Sequence, residues 1–223
     1  MLTPLLDLVF PPRCVGCQRR GVALCAPCRL ELPYLPRGVC FRCASRRGTA
    51  RGCRGCRRLS PTLSWVRAPF AYAGAARTAV LNLKFRSGRY LVPLMAELLG
   101  EAAQRQHGAF DVVVPVPLSP RRQRERGFNQ AALLAARVAA QTQTTLADRV
   151  LTRVDRPSQR TLNAERRLAN LAGAFSCEGL PPNARVLLVD DVVTTGATAS
   201  ACADTLAEAG ARRIGVLAFA RDL

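Results

Sequence analysis

The segment from residue 186 to residue 200, VLLVDDVVTTGATAS, constrains the fold more than any other part of the chain. Its four apolar residues from Val186 to Val189 predict a buried strand that begins at Arg185. The residues from Ala197 to Ala209 predict a helix that ends at Gly210. A strand, a loop of small residues and a helix in this order are typical of an α/β sheet. Such a sheet binds ligands at the carboxyl edge of its strands.

The loop between this strand and this helix has the composition of a phosphate site. Gly196 permits close approach of the backbone to an anion, and the threonines around it can add hydroxyl donors. The N–H groups at a helix start, together with the helix dipole, favour a dianion at that position. The alternative is an ordinary turn whose threonines only cap the helix. The residues predicted to bind the phosphate are Val193, Thr194, Thr195, Gly196, Ala197 and Thr198.

Two adjacent carboxylates, Asp190 and Asp191, follow the predicted strand directly. We expect them at an exposed strand end, where they accept hydrogen bonds from vicinal ribose hydroxyls or hold Mg2+. The chain contains neither a GxxxxGK[ST] nor a GxGxxG pattern, so a P-loop or a dinucleotide site has no support. The sequence therefore predicts a ribose-phosphate site that combines the acid pair with the loop.

From Leu63 onward, short apolar runs alternate with stretches of helical periodicity. The alternation predicts an α/β fold with a mainly parallel sheet flanked by helices over residues 63–223. The polar, arginine-rich stretch from residue 155 to residue 174 predicts loop and frayed helix. The other predicted strands are Trp65 to Tyr72, Asp111 to Val116 and Arg213 to Ala218, and the other predicted helices are Arg77 to Phe85, Leu91 to Arg105 and Phe128 to Gln141.

Residues 1–62 contain eight of the ten cysteines, arranged in four CxxC pairs. Both cysteines of such a pair can point at one tetrahedral zinc ion, and two pairs complete a closed structural site. We predict a small Cys-rich module that binds two zinc ions, with the pairs combined either in sequence or interleaved. A thioredoxin-like redox pair is the alternative, although such a pair normally stands alone. The predicted ligands are Cys14, Cys17, Cys25, Cys28, Cys40, Cys43, Cys53 and Cys56.

The formal net charge is +18 at pH 7, and Lys84 is the one lysine among 33 basic residues. Such a charge favours an anionic partner, whether nucleic acid, a phosphorylated metabolite or an acidic protein. Because the excess is arginine in an alanine-rich chain, part of it reflects genome composition. A solvated basic surface accounts for the arginines as well as a binding surface does.

The N-terminal segment is apolar from Leu2 to Phe10, but it contains Pro4 and Asp7 and has no preceding basic stretch. It matches neither a secretory signal nor a membrane span, which needs about 20 apolar residues. We therefore expect a cytoplasmic protein without membrane contact. In that compartment the cysteines are thiols or metal ligands rather than disulfides.

The segment around Gly196 resembles the ribose-phosphate signature of type I phosphoribosyltransferases. Three further segments, in order with the cysteine pairs, extend the resemblance to the ComF family of bacterial competence-associated proteins over nearly the whole chain. They read LNLKFRSGRY around Lys84, PVPLSPRRQRERGFNQA from Pro115, and NLAGAF from Asn170. The combination is far more specific than any one segment.

The resemblance implies a type I phosphoribosyltransferase-like domain over residues 63–223, preceded by the double zinc-binding module. It places Lys84 where the diphosphate of phosphoribosyl diphosphate would be contacted, so the expected catalytic residues are Lys84, Asp190 and Asp191. It also places Arg126 in a mobile basic loop that closes over the reacting centre. A solvated loop is the alternative for that segment.

Two functional hypotheses follow. In the first, a phosphoribosyltransferase-type protein binds phosphoribosyl diphosphate with Mg2+ and acts in the uptake of single-stranded DNA by competent bacteria. In the second, a non-catalytic accessory protein binds single-stranded DNA or docks a competence helicase, and its pocket serves for ligand binding alone. Phosphate-led DNA binding would weaken steeply with salt.

Overall fold

The computed structural model describes residues 11–46, 53–104, 110–154 and 173–223. Its strands are β1 (Leu63–Arg67), β2 (Phe70–Ala71), β3 (Val112–Pro115), β4 (Thr145–Leu146), β5 (Leu151–Arg153), β6 (Phe175–Cys177), β7 (Arg185–Val193) and β8 (Arg213–Arg221). One sheet has the order β1-β8-β7-β3-β4, with β2 also paired to β8, and each of these pairings is parallel. Strands β5 and β6 form a separate antiparallel pair.

The described α-helices are α1 (Ala26–Leu30), α2 (Gly74–Leu83), α3 (Val92–Gln104), α4 (Pro120–Arg126), α5 (Gln130–Gln141) and α6 (Ala197–Glu208). Helices α2, α3 and α5 pack on one face of the sheet, and α6 packs on the other. No helix in the described ranges has the length and apolar character needed to cross a membrane. The predicted helix end at Arg105 and most of the predicted loop, residues 155–172, lie outside those ranges.

Strand β7 lies between β3 and β8, and its position explains the apolar run that begins the strand. Val186, Leu187, Leu188 and Val189 are fully buried. Leu187 and Val189 belong to the core that includes α2, α3 and α5, whereas Val186 and Leu188 belong to the core that includes α6. A parallel strand covered on both faces reads as such a continuous run. The predicted mainly parallel sheet flanked by helices is confirmed.

Strand β7 continues past its predicted end at Val189, and this corrects the expected position of the acid pair. Its pairing with β8 runs on to Val193, which lies opposite Arg221. Asp190 and Asp191 are therefore inside a paired strand rather than at an exposed strand end, so the prediction of their exposure was wrong. The longer pairing with β8 holds the end of β7 within the sheet.

Local chemistry also shifts two other predicted boundaries. The strand predicted from Trp65 to Tyr72 is divided into β1 and β2 near Pro69, which has no N–H to donate to a sheet. The helix predicted from Phe128 begins two residues later. There the Asn129 side chain caps α5, because its Oδ1 accepts the Ala131 backbone N–H over 3.0 Å.

The arginine-rich segment predicted to be a loop is the helix α4, which corrects that prediction. The Ser119 side chain accepts a backbone N–H of the first turn, and Pro120 occupies the first helical position. Arg121 Nε and Glu125 Oε1 lie 2.7 Å apart at helical spacing. Gly127, with φ of 75°, then ends the helix in the left-handed region.

The Cys-rich segment packs against both faces of the sheet at its β1 edge. In its first half, Val15 joins the core that includes α2 and α3; in its second half, Cys43 and Leu59 join the core that includes α6. Between them, the Arg42 carbonyl oxygen accepts the backbone N–H of Val66 in β1 over 2.7 Å. The segment therefore shares hydrophobic cores with the sheet, and its predicted boundary at residue 62 stays a prediction.

Candidate ribose-phosphate site and zinc centres

The first four-cysteine centre is formed by two consecutive CxxC pairs. The Sγ atoms of Cys14, Cys17, Cys25 and Cys28 all lie within 4.8 Å of one another. The Sγ atom of Cys25 lies 3.7 Å from that of Cys14 and 3.6 Å from that of Cys17. Four sulfurs bound at about 2.3 Å to a tetrahedral zinc ion lie about 3.8 Å apart, so this spacing fits zinc.

The second centre has the same arrangement. Cys40, Cys43, Cys53 and Cys56 also place their Sγ atoms within 4.8 Å of one another. The Cys40–Cys56 and Cys43–Cys53 sulfur distances are both 3.4 Å. The prediction of two four-cysteine zinc sites is confirmed, and the pairs combine in sequence rather than interleaved.

The chemistry of the donor set also fits a metal ion. Hydrogen bonding to Cys25 raises the pKa of Cys28 to about 12, and burial together with Cys40 raises the pKa of Cys56 to about 12. At Cys14, burial is outweighed by N–H donors such as that of Cys25, which lower the pKa to about 6. Crowded thiols of this kind cannot all ionise without a cation. Zn2+ binds the thiolate form and so removes the conflict.

The predicted phosphate loop follows β7 and leads into α6. Gly196 precedes the first helical residue with φ of 86°, a conformation that favours glycine. Thr194 and Thr195 are exposed. Thr195 Oγ1 accepts the Ala197 backbone N–H over 3.3 Å, as the capping alternative expects. Exposed hydroxyls thus lie at the start of a 12-residue helix, an arrangement that suits a phosphate.

The acid pair lies where β7 approaches this loop. Asp191 is 4% exposed, and Gln130 Nε2 donates a hydrogen bond to its Oδ2 over 3.2 Å. Asp190 is half-buried, and its Oδ1 accepts the backbone N–H of Asp191 over 2.8 Å. Burial and then the charge of Asp191 raise the pKa of Asp190 well above its usual range. A cation beside the pair would restore the charged form.

Lys84 follows α2 and lies close enough to the acid pair for its charge to act there. The ammonium group of Lys84 lowers the pKa of Asp190, in opposition to burial. Arg126 ends α4, and across the described ranges no side-chain hydrogen bond joins it to the loop or the acid pair. The structure therefore brings Lys84 near Asp190 but shows no such link for Arg126.

A buried arginine that sequence reasoning missed supports the loop. Arg221 ends β8 and is 5% exposed. Its Nη1 donates to the backbone carbonyl oxygens of Val193, over 2.9 Å, and of Thr194. Its Nε donates to the carbonyl oxygen of Cys43 over 3.2 Å. An arginine that ends the apolar run IGVLAFA is the signal that could have identified it.

Leu59, just after the second zinc centre, lies directly against the loop. A Cβ atom at Gly196 would lie 2.3 Å from Leu59 Cδ2, so Leu59 already fills that space. The Ser60 backbone N–H donates to Ser200 Oγ in α6 over 3.0 Å. Glycine at 196 is therefore required by its backbone angle and by Leu59, whereas the sequence suggested only close approach of the backbone to an anion.

Two family models match the chain in agreement with this arrangement. A double zinc ribbon domain matches residues 5–57, and a phosphoribosyl transferase domain matches residues 93–223. The fold and the two metal centres thus define a zinc-ribbon protein with a phosphoribosyltransferase-type domain.

Relatives of similar length align with nearly the whole chain. Competence protein F of Haemophilus influenzae is 30% identical over 228 residues, covering 95% of this chain and 98% of that protein. DNA utilization protein YhgH of Salmonella typhimurium is 32% identical over 218 residues, covering 94% of this chain and 89% of that protein. This chain belongs to the ComF family. Among solved structures, an allosteric regulatory enzyme of purine biosynthesis is 21% identical over 61% of this chain and 29% of its own, with a TM-score of 0.43.

Proposed function

We propose that the protein binds 5-phosphoribosyl 1-diphosphate with Mg2+ as a phosphoribosyltransferase, and that it acts on single-stranded DNA or its components during DNA uptake. The observation that carries the proposal is the juxtaposition at the end of β7. There, exposed hydroxyls at Thr194 and Thr195 precede helix α6, the acid pair lies in the strand that leads to them, and the charge of Lys84 acts on Asp190. A 5-phosphate, a ribose and a diphosphate each have a matching group in this arrangement.

Each part of the chain has one task in this proposal. The loop from Val193 to Thr198 binds the 5-phosphate through backbone N–H groups and hydroxyls. Asp190 and Asp191 accept hydrogen bonds from the ribose hydroxyls. Lys84 supplies positive charge to the departing diphosphate, and Mg2+, when bound, would neutralise further charge on that group. No side chain is required as a covalent nucleophile.

Gln130 supports the assignment of the acid pair to a ligand or metal. Its Oε1 atom is buried and has no hydrogen-bond partner in the described part of the chain. Buried amide oxygens are normally satisfied. Since Nε2 of the same amide is bonded to Asp191, the unpaired Oε1 lies near the acid pair. A ribose hydroxyl or a metal-bound water would provide the missing donor.

Calorimetric titration with phosphoribosyl diphosphate and Mg2+ tests the proposal. The double variant Asp190→Asn with Asp191→Asn keeps the size of both side chains but removes their charge, so affinity should fall at least tenfold, or roughly 1.4 kcal/mol. Asp148→Asn, a change at an exposed aspartate outside the site, is the matched control and should bind like the wild type. Absence of binding to the wild type, or equal binding by all three proteins, would overturn the proposal.

The second candidate is an accessory protein that binds the ligand without turnover. The net charge of +18 favours it, as do relatives named for competence and DNA utilization. The two candidates differ in whether diphosphate is released. Diphosphate can be measured with nucleobases and single-stranded DNA as acceptors. Tight binding without release under all these conditions favours the accessory protein.

A further inference from the structure

We propose that Arg221 and the second zinc centre position the phosphate loop, so that zinc at this centre and a ribose phosphate at the loop strengthen each other's binding. The proposal deepens the function proposed above and rests on it. Arg221 is here a positioning residue, since it contacts the backbone behind the loop rather than the ligand.

The guanidinium of Arg221 joins the zinc centre directly to the loop. Nε is hydrogen-bonded to the carbonyl oxygen of the ligand Cys43, and Nη1 to those of Val193 and Thr194 in the loop. Nη1 also donates to the Asp222 carbonyl oxygen over 2.7 Å. One rigid, planar, buried group thus holds two backbone segments that are far apart in sequence. A lysine has no such fork of donors.

Electrostatics favour the same arrangement. Four thiolates and one Zn2+ leave a net negative charge at the second centre. Arg221 is a buried cation whose Nε is hydrogen-bonded to the carbonyl oxygen of the zinc ligand Cys43 over 3.2 Å. Loss of the metal alters this charge and releases the backbone around Cys43, to which Arg221 is bonded. Loss of the metal therefore alters how Arg221 holds the carbonyl groups of Val193 and Thr194 in the loop.

A second route runs through the chain that leaves the zinc centre. Leu59 lies three residues after the ligand Cys56 and fills the space above Gly196. Ser60 then binds Ser200 through its backbone N–H, and Ser60 Oγ donates to Asp204 Oδ1 in the same helix. The start of α6, which provides the N–H groups for the phosphate, is thus held by residues that follow the second centre.

The first zinc centre provides a matched comparison, because it packs elsewhere. Its neighbour Val15 belongs to the core on the opposite face of the sheet. Tyr90 Oη donates to the Arg13 carbonyl oxygen over 3.0 Å, and Arg29 Nη2 lies 2.9 Å from Glu97 Oε1 in α3. Within the described ranges, no hydrogen bond links this centre to residues 193–198. Its loss should leave the loop unchanged.

Hydrogen exchange of the ligand-free protein tests the positioning directly. Amides of residues 194–200 should exchange at least fivefold faster in Cys53→Ser with Cys56→Ser, and in Arg221→Met, than in the wild type. Cys14→Ser with Cys17→Ser should show the wild-type rate at these amides. If Arg221→Met does not fold, Arg221→Lys and Leu59→Ala serve in its place. Equal exchange in the variants of both centres would refute the positioning role.

Zinc release tests the coupling between metal and ligand. Binding linkage is reciprocal, so a ligand whose binding is favoured by zinc must also retain zinc. In the Cys14→Ser, Cys17→Ser protein, ribose 5-phosphate should raise the affinity for zinc by about fivefold or more, measured as the equilibrium release of zinc to a competing chelator. In the Cys53→Ser, Cys56→Ser protein, which keeps the first centre, it should have no effect. Ribose 5-phosphate engages the loop without involving the diphosphate region near Lys84.

The outcomes separate the two proposals. If exchange responds only to the second centre but the wild type binds neither phosphoribosyl diphosphate nor ribose 5-phosphate, the proposed function fails and the structural positioning of the loop stands. If the wild type binds both ligands and loss of the second centre changes neither exchange nor affinity, the positioning fails and the proposed function stands.

Discussion

Gln130 Nε2 donates a hydrogen bond to Asp191 Oδ2 over 3.2 Å, in a place where both side chains are almost completely buried. The bond fixes the orientation of the Gln130 amide, because a carboxylate only accepts hydrogen bonds and the Nε2 group must therefore face it. It also orients one of the two acids that the sequence predicts to serve the ribose. The first residue of α5 is thus part of the candidate site.

Replacing Gln130 by leucine should weaken ligand binding by more than the loss of fold stability alone accounts for. The change leaves the Asp191 carboxylate buried without this donor, at a stability loss of about 1–3 kcal/mol. Affinity for phosphoribosyl diphosphate with Mg2+ should fall roughly tenfold. Gln123→Leu, on the exposed surface of α4, is the matched control. Denaturant unfolding and calorimetry measure the two effects, and unchanged affinity in Gln130→Leu would contradict the assignment.

The raised pKa of Asp190 predicts a pH-dependent stability penalty in the ligand-free protein. The folded state binds this proton more tightly than the unfolded chain does. Stability contributed by the neutral form is therefore lost as pH rises from the unfolded pKa, about 3.9, through the higher folded pKa. The Asp190→Asn side chain cannot ionise, so the free energy of unfolding of this variant should increase relative to that of the wild type as pH rises. Unfolding of both proteins between about pH 5 and about pH 8 measures this gain; a constant difference would argue against it.

Purified protein should contain about two zinc ions per chain, and serine at two ligands of either centre should leave about one. Because ribbon residues belong to both hydrophobic cores, removing the metal should lower the melting temperature of the whole domain. Elemental analysis and calorimetry provide the two measurements. Zinc-free protein that melts like the zinc-bound form would rule out a structural role.

Single-stranded DNA should bind in a salt-sensitive and sequence-tolerant manner, with a contribution from the exposed arginines of α4. Arg122→Ser with Arg124→Ser should weaken binding and reduce its dependence on salt, because fewer phosphates are neutralised. Arg77→Ser with Arg137→Ser removes the same charge from the exposed surfaces of α2 and α5 as a control. Fluorescence anisotropy at several salt concentrations makes the comparison. Equal losses in both variants would show that only net charge matters.

Features encoded over short stretches of sequence could be predicted. The apolar run of β7, the glycine that ends the loop, and the paired cysteines each depend on neighbours a few positions away. Helix α4 was also encoded locally, by a serine and proline at its start and an Arg121–Glu125 pair along it. The resemblance implies a mobile loop at that position, whereas these local signals favour a helix.

Contacts between distant segments could not be predicted from the single sequence. Arg221 and Cys43 are 178 positions apart, and their hydrogen bond requires the complete sheet to bring them together. The burial of Asp191 likewise depends on how far β7 pairs with β8 and on where α5 packs. Pattern and propensity describe an element and its faces, whereas these distances follow from the assembled fold.

The hydrogen bond between Val66 and Arg42 has a consequence for self-association. β1 is an outer strand of the sheet. The Arg42 carbonyl oxygen of the Cys-rich segment accepts the outward-facing N–H of Val66, and the Arg42 guanidinium donates to the Leu63 carbonyl oxygen. Unpaired strand edges recruit strands from other chains and so promote aggregation. The outer strand at the opposite side, β4, is only two residues long and offers little to pair with. The segment that carries the second zinc centre thus shields the longer open edge of the sheet. In a cell depleted of zinc, this edge would become exposed and the protein would aggregate.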